Sequence, residues 1–154
     1  MRVNVFTDGA ARGNPGPGGY GVVLIAGKHY KELSEGFRKT TNNRMELLAV
    51  IKALEAMKAD GLQIIVYTDS KYVCEAVEKG WVFNWQRTNF KGKKNADLWT
   101  QFLRLYPKHT LKFQWVKGHA GHKENERCDV LATTAADNAA NLLIDAGFES
   151  GMFN

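Results

Sequence analysis

The segment VFTDGA, Val5 to Ala10, is an apolar strand pattern that stops at an aspartate. Apolar residues alternate with polar ones ahead of it, which predicts a strand over about residues 2–7. The pattern recurs in LQIIVYTDS, where a strand over 62–68 is followed directly by Asp69. Sites in open α/β sheets gather at the carboxyl ends of parallel strands. We therefore expect Asp8 and Asp69 to meet at one edge of a sheet.

The remaining periodicity predicts an α/β fold. Helical spacing follows Thr41 or Asn42, either of which can cap the helix, and Ser70 is a plausible cap for the next one. The predicted elements are strands at about 2–7, 20–26, 30–38, 62–68 and 110–116, and helices beginning near 42 and running over 70–80, within 95–107 and over about 124–140. We expect a mixed five-stranded sheet, with three antiparallel leading strands, two strands added in parallel, and helices on both faces.

The glycine-rich segment GNPGPGGYG, residues 13–21, contains the spacing Gly16-x-Gly18-x-x-Gly21. That spacing matches the dinucleotide-binding fingerprint, which must open a helix. The residues that follow, YGVVLI, form a strand pattern instead. The segment is therefore interpreted as a rigid connection and not as a nucleotide site.

Composition bounds the class of protein. The chain has 154 residues, the size of one domain, and 44% of them are hydrophobic, enough for a core. We assign residues 1–140 to one catalytic domain and leave open whether the tail, 141–154, is ordered. No apolar run is long enough for a membrane span, and no signal-peptide pattern opens the chain, so we expect a cytoplasmic protein without a membrane partner. Cys74 and Cys128 lie in helical patterns and are expected to be buried and reduced.

Two further acids are expected to join the pair of aspartates. Glu46 is predicted in the first turn of its helix, beside the apolar stripe, and Asp129 lies beside the apolar stripe of the last helix. Four carboxylates close together would repel one another unless cations neutralise them. Their oxygens are hard ligands that suit Mg²⁺ or Mn²⁺, and two such ions form the usual clamp for phosphoryl transfer.

Each acid also has an ordinary structural explanation. Asp8 could be a turn residue and Asp69 a helix cap, Glu46 would gain from the helix dipole, and Asp129 could be solvated. The prediction of a metal site would fail only if all four of these explanations were correct at once.

Five collinear stretches resemble bacterial type 1 ribonuclease H, the enzymes that cut the RNA strand of RNA–DNA hybrids. They are FTDGA, GNPGPGGYG, TTNNRMEL, YTDSKYV and WVKGHAGHKENERCD, and the resemblance reaches to about Ala136. It implies the ribonuclease H fold and a sequence-nonspecific endoribonuclease that leaves 5′-phosphate and 3′-hydroxyl ends. It also implies that Asp8, Glu46, Asp69 and Asp129 bind two Mg²⁺ ions, with Mn²⁺ as a substitute, and that His119 is the mobile catalytic histidine.

The resemblance further implies how a hybrid is held. Small and amide-bearing residues near the predicted site would read the minor groove, where RNA displays its 2′-hydroxyls. They are Gly9, Ala11, Asn14, Thr41, Asn42 and Asn43. For Asn14 and Asn42, turn and cap duty is an equally good explanation.

Net charge is +5, which favours a polyanionic partner. The segment 81–94 interleaves aromatic and basic residues, a pattern typical of nucleic-acid surfaces. The predicted contacts there are Trp81, Trp85, Arg87, Lys91, Lys93 and Lys94, although Trp81 could instead pack in the core. This matches the family's basic protrusion but is shorter than in its best-known bacterial members.

Lys71 is a second departure, because those members carry glutamine after TDS. A lysine can meet a phosphate but cannot accept a hydrogen bond as the amide does. We expect a monomer, since no large exposed apolar helix is predicted. Two other functions remain open: a transposase, integrase or resolvase core that cuts DNA, and a hybrid-binding module without catalysis.

Overall fold

The computed structural model describes residues 2–118 and 121–154. The strands are β1 (Arg2–Ala11), β2 (Gly16–Ala26), β3 (His29–Thr40), β4 (Gln63–Thr68), β5 (Thr110–Trp115) and β6 (Leu142–Leu143). The helices are α1 (Asn42–Glu55), α2 (Lys71–Glu78), α3 (Trp81–Arg87), α4 (Ala96–Leu105), α5 (Lys123–Asp137) and α6 (Ala146–Glu149). None of the helices in these ranges is long and apolar enough to cross a membrane.

The strands form one mixed sheet in the order β5-β4-β1-β2-β3-β6. The leading three strands are antiparallel, and β4 and β5 add in parallel, as predicted. The neighbouring parallel pair β1 and β4 is confirmed, with Val5 opposite Val66. The predicted count of five strands is wrong, because β6 pairs with β3 through Gly36 and Phe37. Two residues are too few to give a periodic signal in the sequence.

β1 is longer than predicted. Its parallel pairing with β4 ends at Phe6 and Tyr67, but its antiparallel pairing with β2 continues to Ala11 opposite Gly18. The prediction that this strand breaks at Asp8 is therefore wrong. Asp8 lies inside β1, two residues beyond the last residue of β1 that pairs with β4, so within the described residues this side of β1 has no strand partner at Asp8.

The glycine-rich connection is also partly a strand. β2 begins at Gly16, not near residue 20, and carries an irregularity between Gly16 and Gly18. A strand and not a helix follows the glycines, so the dinucleotide-binding interpretation was correctly rejected. The helix α3 fills the first half of the aromatic-basic segment, for which no element had been predicted.

Helices cover both faces of the sheet, as expected. A Cβ on Gly19, Gly21 or Gly36 would overlap the backbone of α5, so these glycines let α5 lie directly on the strands. Gly9 points to the opposite face, because neighbouring residues of a strand alternate. A Cβ there would overlap the backbone of Met45 and Glu46 in α1.

The tail contacts the rest of the chain at several points. It supplies β6 and α6, and Asp145 lies buried against Arg44 of α1 and Thr40 of β3. The backbone carbonyl of Phe153 accepts a hydrogen bond from the Asn95 amide at 2.9 Å. Both cysteines are free and buried, as predicted.

Candidate active site

Three of the four predicted carboxylates converge at the open flank of β1. Asp8 comes from β1, Glu46 from α1, and Asp69 from the residue after β4. Each offers one carboxylate oxygen, and these three oxygens lie within 4.8 Å of one another. This spacing lets one cation contact all three groups.

Glu46 reaches this position because α1 lies directly on β1. Since Asn42 is the first residue of α1, Glu46 lies in its second turn, and the predicted first-turn placement is wrong. Gly9 allows the close approach, because its missing side chain makes room for the backbone of Glu46. The space over this face of Gly9 is thus filled by the protein itself.

The three carboxylates are short of compensating charge. Burial, followed by the neighbouring charge of Asp69, raises the pKa of Asp8 to about 7. Burial also raises the pKa of Glu46 well above its ordinary value, with Asp8 and Asp69 adding to the effect. The Oε1 atom of Glu46 is buried without a hydrogen-bond partner. Within the described residues, no lysine or arginine forms an ion pair with any of the three.

A donor set of this kind fits a hard divalent cation. It consists of carboxylate oxygens alone, one of them without a hydrogen-bond partner, and burial together with mutual repulsion favours their protonation when no cation is bound. The three groups could therefore hold a metal ion that replaces those protons.

Asp129 stands slightly apart from the other three. It lines a cavity of about 20 Å³ together with Asp8 and Asp69 but is not part of the tight cluster. Its charge still contributes to the raised pKa of Asp8. Gly21 determines its position, because a Cβ there would overlap the carbonyl of Cys128, the residue before Asp129.

The turn that carries Asp69 is fastened on several sides. Thr68 accepts hydrogen bonds from Val116 at 2.9 Å and, through its hydroxyl, from Ser70 at 3.0 Å. Ser70 caps α2 by accepting from the Val73 amide. The indole Nε1 of Trp115 donates to the Asp69 carbonyl at 3.1 Å. From the sequence, Trp115 was assigned only to a strand, and no role in the site was predicted for it.

His119 lies outside the described residues. The neighbouring Gly118 passes close over the carboxylate of Asp69, since a Cβ at this glycine would lie 2.9 Å from Oδ2. The described residues that follow β5, up to Gly118, therefore lie at the carboxylate cluster.

Asn42 links α1 to β1 and to Asn14 by hydrogen bonds. The Oδ1 of Asn42 accepts a hydrogen bond from the backbone N–H of Ala11 at 2.6 Å, and the backbone N–H of Asn42 donates to Oδ1 of Asn14 at 3.0 Å. Thr41, not Asn42, is the N-cap of α1, and its hydroxyl accepts from the Arg44 amide. The suggestion that Asn42 caps the helix is wrong. Asn42 is the first residue of the helix itself, and its side chain accepts a hydrogen bond from β1.

These residues line a cleft of about 420 Å³. Lys94 and Asn95 form part of its wall, and the tail contributes Phe148 and Asn154. Neither Asn95 nor the tail was predicted for this surface. Asn95 has a left-handed φ of 65° and directly precedes α4. In the sequence, an asparagine at this position indicates only a helix cap and not a binding surface. The full lining is Asn14, Pro15, Thr41, Asn42, Asn43, Lys94, Asn95, Phe148 and Asn154.

The aromatic-basic segment divides into an outer and an inner part. Trp81 is 42% exposed, with the Lys79 ammonium 5.4 Å from its ring centroid, so its core-packing alternative is wrong. Trp85 packs edge-on against the buried Trp99 and carries Lys93 over its ring. Phe90 belongs to the core. The four predicted cations of the segment, Arg87, Lys91, Lys93 and Lys94, are all exposed.

Lys71 follows Asp69 by two residues and contacts Trp115. Its ammonium is 5.1 Å from the ring centroid of Trp115. The substitution that distinguishes this chain from the expected glutamine thus places a cation at the rim of the site.

The chain is similar in sequence to known proteins. A family model for RNase H matches residues 1–137. The chain is 54% identical over 148 residues to a protein named Ribonuclease H from Desulforamulus reducens, covering 93% of this chain and 92% of that relative. A second protein of that name, from Syntrophus aciditrophicus, is 51% identical over 152 residues, with 96% and 87% covered.

A solved structure of LC11-RNase H1 in complex with an RNA/DNA hybrid is similar in fold. Its TM-score is 0.67 at 25% identity, covering 90% of this chain and 99% of that one. The family model and the curated relatives span nearly the whole chain. The chain therefore belongs to the ribonuclease H family, whose members are metal-dependent nucleases.

Proposed function

We propose that this chain hydrolyses the RNA strand of RNA–DNA hybrids without sequence specificity, leaving 5′-phosphate and 3′-hydroxyl ends. The observation that carries the proposal is the carboxylate cluster, with a buried orphan oxygen on Glu46, in a chain of this family. The hybrid bound to the similar LC11-RNase H1 supports the choice of substrate.

Asp8, Glu46, Asp69 and Asp129 are proposed to hold two Mg²⁺ ions, with Mn²⁺ as a substitute. All four offer only oxygen, which Mg²⁺ and Mn²⁺ prefer over softer ligands. When bound, the ions would supply an activated water and stabilise the leaving oxygen. The contribution of the carboxylates is position: β1, α1, β4 and α5 hold them in place before any substrate arrives.

Binding of the metal competes with binding of protons. Because the pKa of Asp8 is raised to about 7, the carboxylate is partly protonated near neutral pH. We therefore expect metal affinity to increase as the pH rises toward 8. His119, the residue after Gly118, is proposed to transfer a proton or help release the product.

The cleft beside the cluster is proposed to read the minor groove. The side-chain oxygens of Asn14 and Asn42 accept backbone hydrogen bonds, which fixes the orientation of both amides. Each NH₂ group is thereby left as a donor for a 2′-hydroxyl or a sugar oxygen. Asn43 and Thr41 line the same cleft, and the backbone N–H of Ala11 donates to the side chain of Asn42. Gly9 is proposed to contribute without contacting the substrate, because its missing side chain lets α1 lie close to β1.

Exposed cations extend the binding surface beyond the cleft. Arg87, Lys91, Lys93 and Lys94 are proposed to contact phosphates of the DNA strand, with Trp81 and Trp85 beside them. Lys71 is proposed to contact a phosphate at the rim of the metal site. Two free cysteines support the assignment of this activity to the reducing cytoplasm, where we expect the chain to act as a monomer.

One experiment tests the proposal. Four end-labelled duplexes of one sequence, RNA–DNA, RNA–RNA, DNA–DNA and DNA with a single ribonucleotide, are incubated with the protein in Mg²⁺ or in EDTA. We expect Mg²⁺-dependent cutting of the RNA strand of the hybrid. Asp69→Asn should bind the hybrid and leave it intact.

Other outcomes identify other functions. Cutting of the DNA duplex would indicate a transposase- or resolvase-like enzyme. A hybrid that is bound but never cut would indicate a binding module. Full activity of Asp69→Asn would show that the metal-site assignment is wrong.

A further inference from the structure

Trp115 is an exposed aromatic residue at the end of β5, beside the carboxylate cluster. Its side chain is 40% exposed, although Phe113, two positions earlier on the same face of β5, is buried. Its indole Nε1 donates a hydrogen bond of 3.1 Å to the backbone carbonyl of Asp69. An exposed tryptophan is thus attached to the peptide of a proposed metal ligand.

This carbonyl has no role in the neighbouring helix. Ser70 is the N-cap of α2, and the first helical hydrogen bond runs from Cys74 to the Ser70 carbonyl. The Asp69 carbonyl precedes it and accepts nothing from α2. The backbone that follows β5 does not bond to this carbonyl either, because the N–H of Val116 donates to the carbonyl of Thr68 and not to that of Asp69. The indole therefore supplies the partner that neither regular element provides.

The ring is itself held in place. The Lys71 ammonium lies 5.1 Å from the centroid of the Trp115 ring, a distance at which cations attract aromatic faces. Lys71 is the first residue of α2, two positions after Asp69. The indole nitrogen is thus bonded to Asp69, and the face of the ring contacts Lys71 on the other side of the same turn.

We propose that Trp115 is a positioning residue for Asp69. It fixes the peptide of Asp69, and hence the direction of its carboxylate, relative to Asp8 and Glu46. The inference rests on the proposed function, since it concerns the same metal site. Groups that orient metal ligands in this way typically account for 10- to 100-fold in metal affinity or activity.

Trp115→Phe tests this, because phenylalanine keeps a ring for Lys71 but removes the N–H donor. The first readout needs no substrate: Mn²⁺ is titrated into the protein, and the free ion is measured by electron paramagnetic resonance. We expect the Mn²⁺ dissociation constant to rise about 10-fold and kcat to fall by about 10-fold or more. The KM for the hybrid and its affinity in EDTA should stay the same.

The control is Tyr30→Phe. Tyr30 is another exposed aromatic whose polar group makes one hydrogen bond, to Glu32 at 2.7 Å, at the far end of β3. It should change neither Mn²⁺ binding nor kcat.

The outcomes separate this inference from the proposed function. If the wild type cuts the hybrid and Trp115→Phe matches it in Mn²⁺ affinity and kcat, Trp115 has no positioning role. If the variant loses hybrid binding in EDTA and thermal stability to the same extent as Mn²⁺ binding, its role is structural only, and the inference is overturned. If the wild type cuts nothing, the proposed function fails, while the Mn²⁺ titration still decides whether Trp115 positions Asp69.

Discussion

Arg44 and Asp145 form a buried two-point ion pair between the start of α1 and the C-terminal tail. The Arg44 Nε lies 2.8 Å from Oδ2 of Asp145, and its Nη2 lies 2.9 Å from Oδ1. Arg44 is only 1% exposed and also donates to Asp97 at the start of α4. One cation between two carboxylates therefore joins three segments around the Asn95 side of the cleft.

Removing Asp145 should cost considerable stability. Asp145→Asn leaves the buried Arg44 with one compensating carboxylate, and breaking a buried pair typically costs about 3 kcal/mol or more. Urea unfolding measures the change. Asp137→Asn is the control, because Asp137 pairs with Arg12 at an exposed site and should contribute little. Equal effects of the two substitutions would show that burial of the Arg44 network is not stabilising.

The same pair predicts how stability depends on acidity. Burial acts to raise the pKa of Asp145, but the hydrogen bonds from Arg44 and Thr40 outweigh it and hold the pKa below the ordinary value. A carboxyl whose pKa is lower in the folded state stabilises the fold above its unfolded pKa, about 4, and loses this effect as the pH falls further. The difference in unfolding free energy between wild type and Asp145→Asn should therefore shrink below about pH 4. A constant difference down to about pH 2 would contradict this.

Asp8 predicts the opposite dependence. Its pKa is about 7 in the folded chain and about 4 when unfolded, so the metal-free protein loses stability as the pH rises between these values. Asp8→Asn should leave stability unchanged near pH 4 and increase it at pH 8, by up to about 4 kcal/mol, because one pKa unit corresponds to about 1.4 kcal/mol. Thermal unfolding in EDTA measures both.

The control for this substitution is Asp60→Asn. Asp60 is exposed in the connection between α1 and β4 and should show no such pH-dependent gain. Mg²⁺ should stabilise the wild type more than Asp8→Asn, because a ligand stabilises the state that binds it. A wild type that gains stability between pH 4 and pH 8 relative to Asp8→Asn would contradict the prediction.

The basic loop should determine the salt dependence of hybrid binding. Replacing Lys91, Lys93 and Lys94 by alanine should raise KM and reduce the slope of log affinity against log salt by about 2–3, because each lost phosphate contact removes nearly one unit. The matched control replaces Lys28, Lys31 and Lys58, three exposed lysines at the opposite end of the sheet. If both triple variants lower the slope equally, the effect is one of net charge and not of the loop.

Much of the fold followed from local pattern. Alternation and apolar runs predicted the five long strands, and helical spacing predicted α1, α4 and α5. Ser70 and Gly80 bounded α2, and two strands followed by aspartate pointed to one sheet edge. These signals are readable because burial of one face imposes a period of 2 or 3.6 on the residues that form it. The elements missed, α3, β6 and α6, are short, and two to seven residues give too few periods to recognise.

The sequence by itself determined which residue types were available: four acids, a set of asparagines and a group of cations. Only the tertiary structure decided their distances. Glu46 reaches Asp8 because Gly9 admits the backbone of α1, and Asp145 reaches Arg44 across about a hundred residues of sequence. Trp115 read as an ordinary strand residue until the fold placed its indole beside the Asp69 carbonyl. Such contacts depend on how separate elements pack, and no periodicity within one element records them.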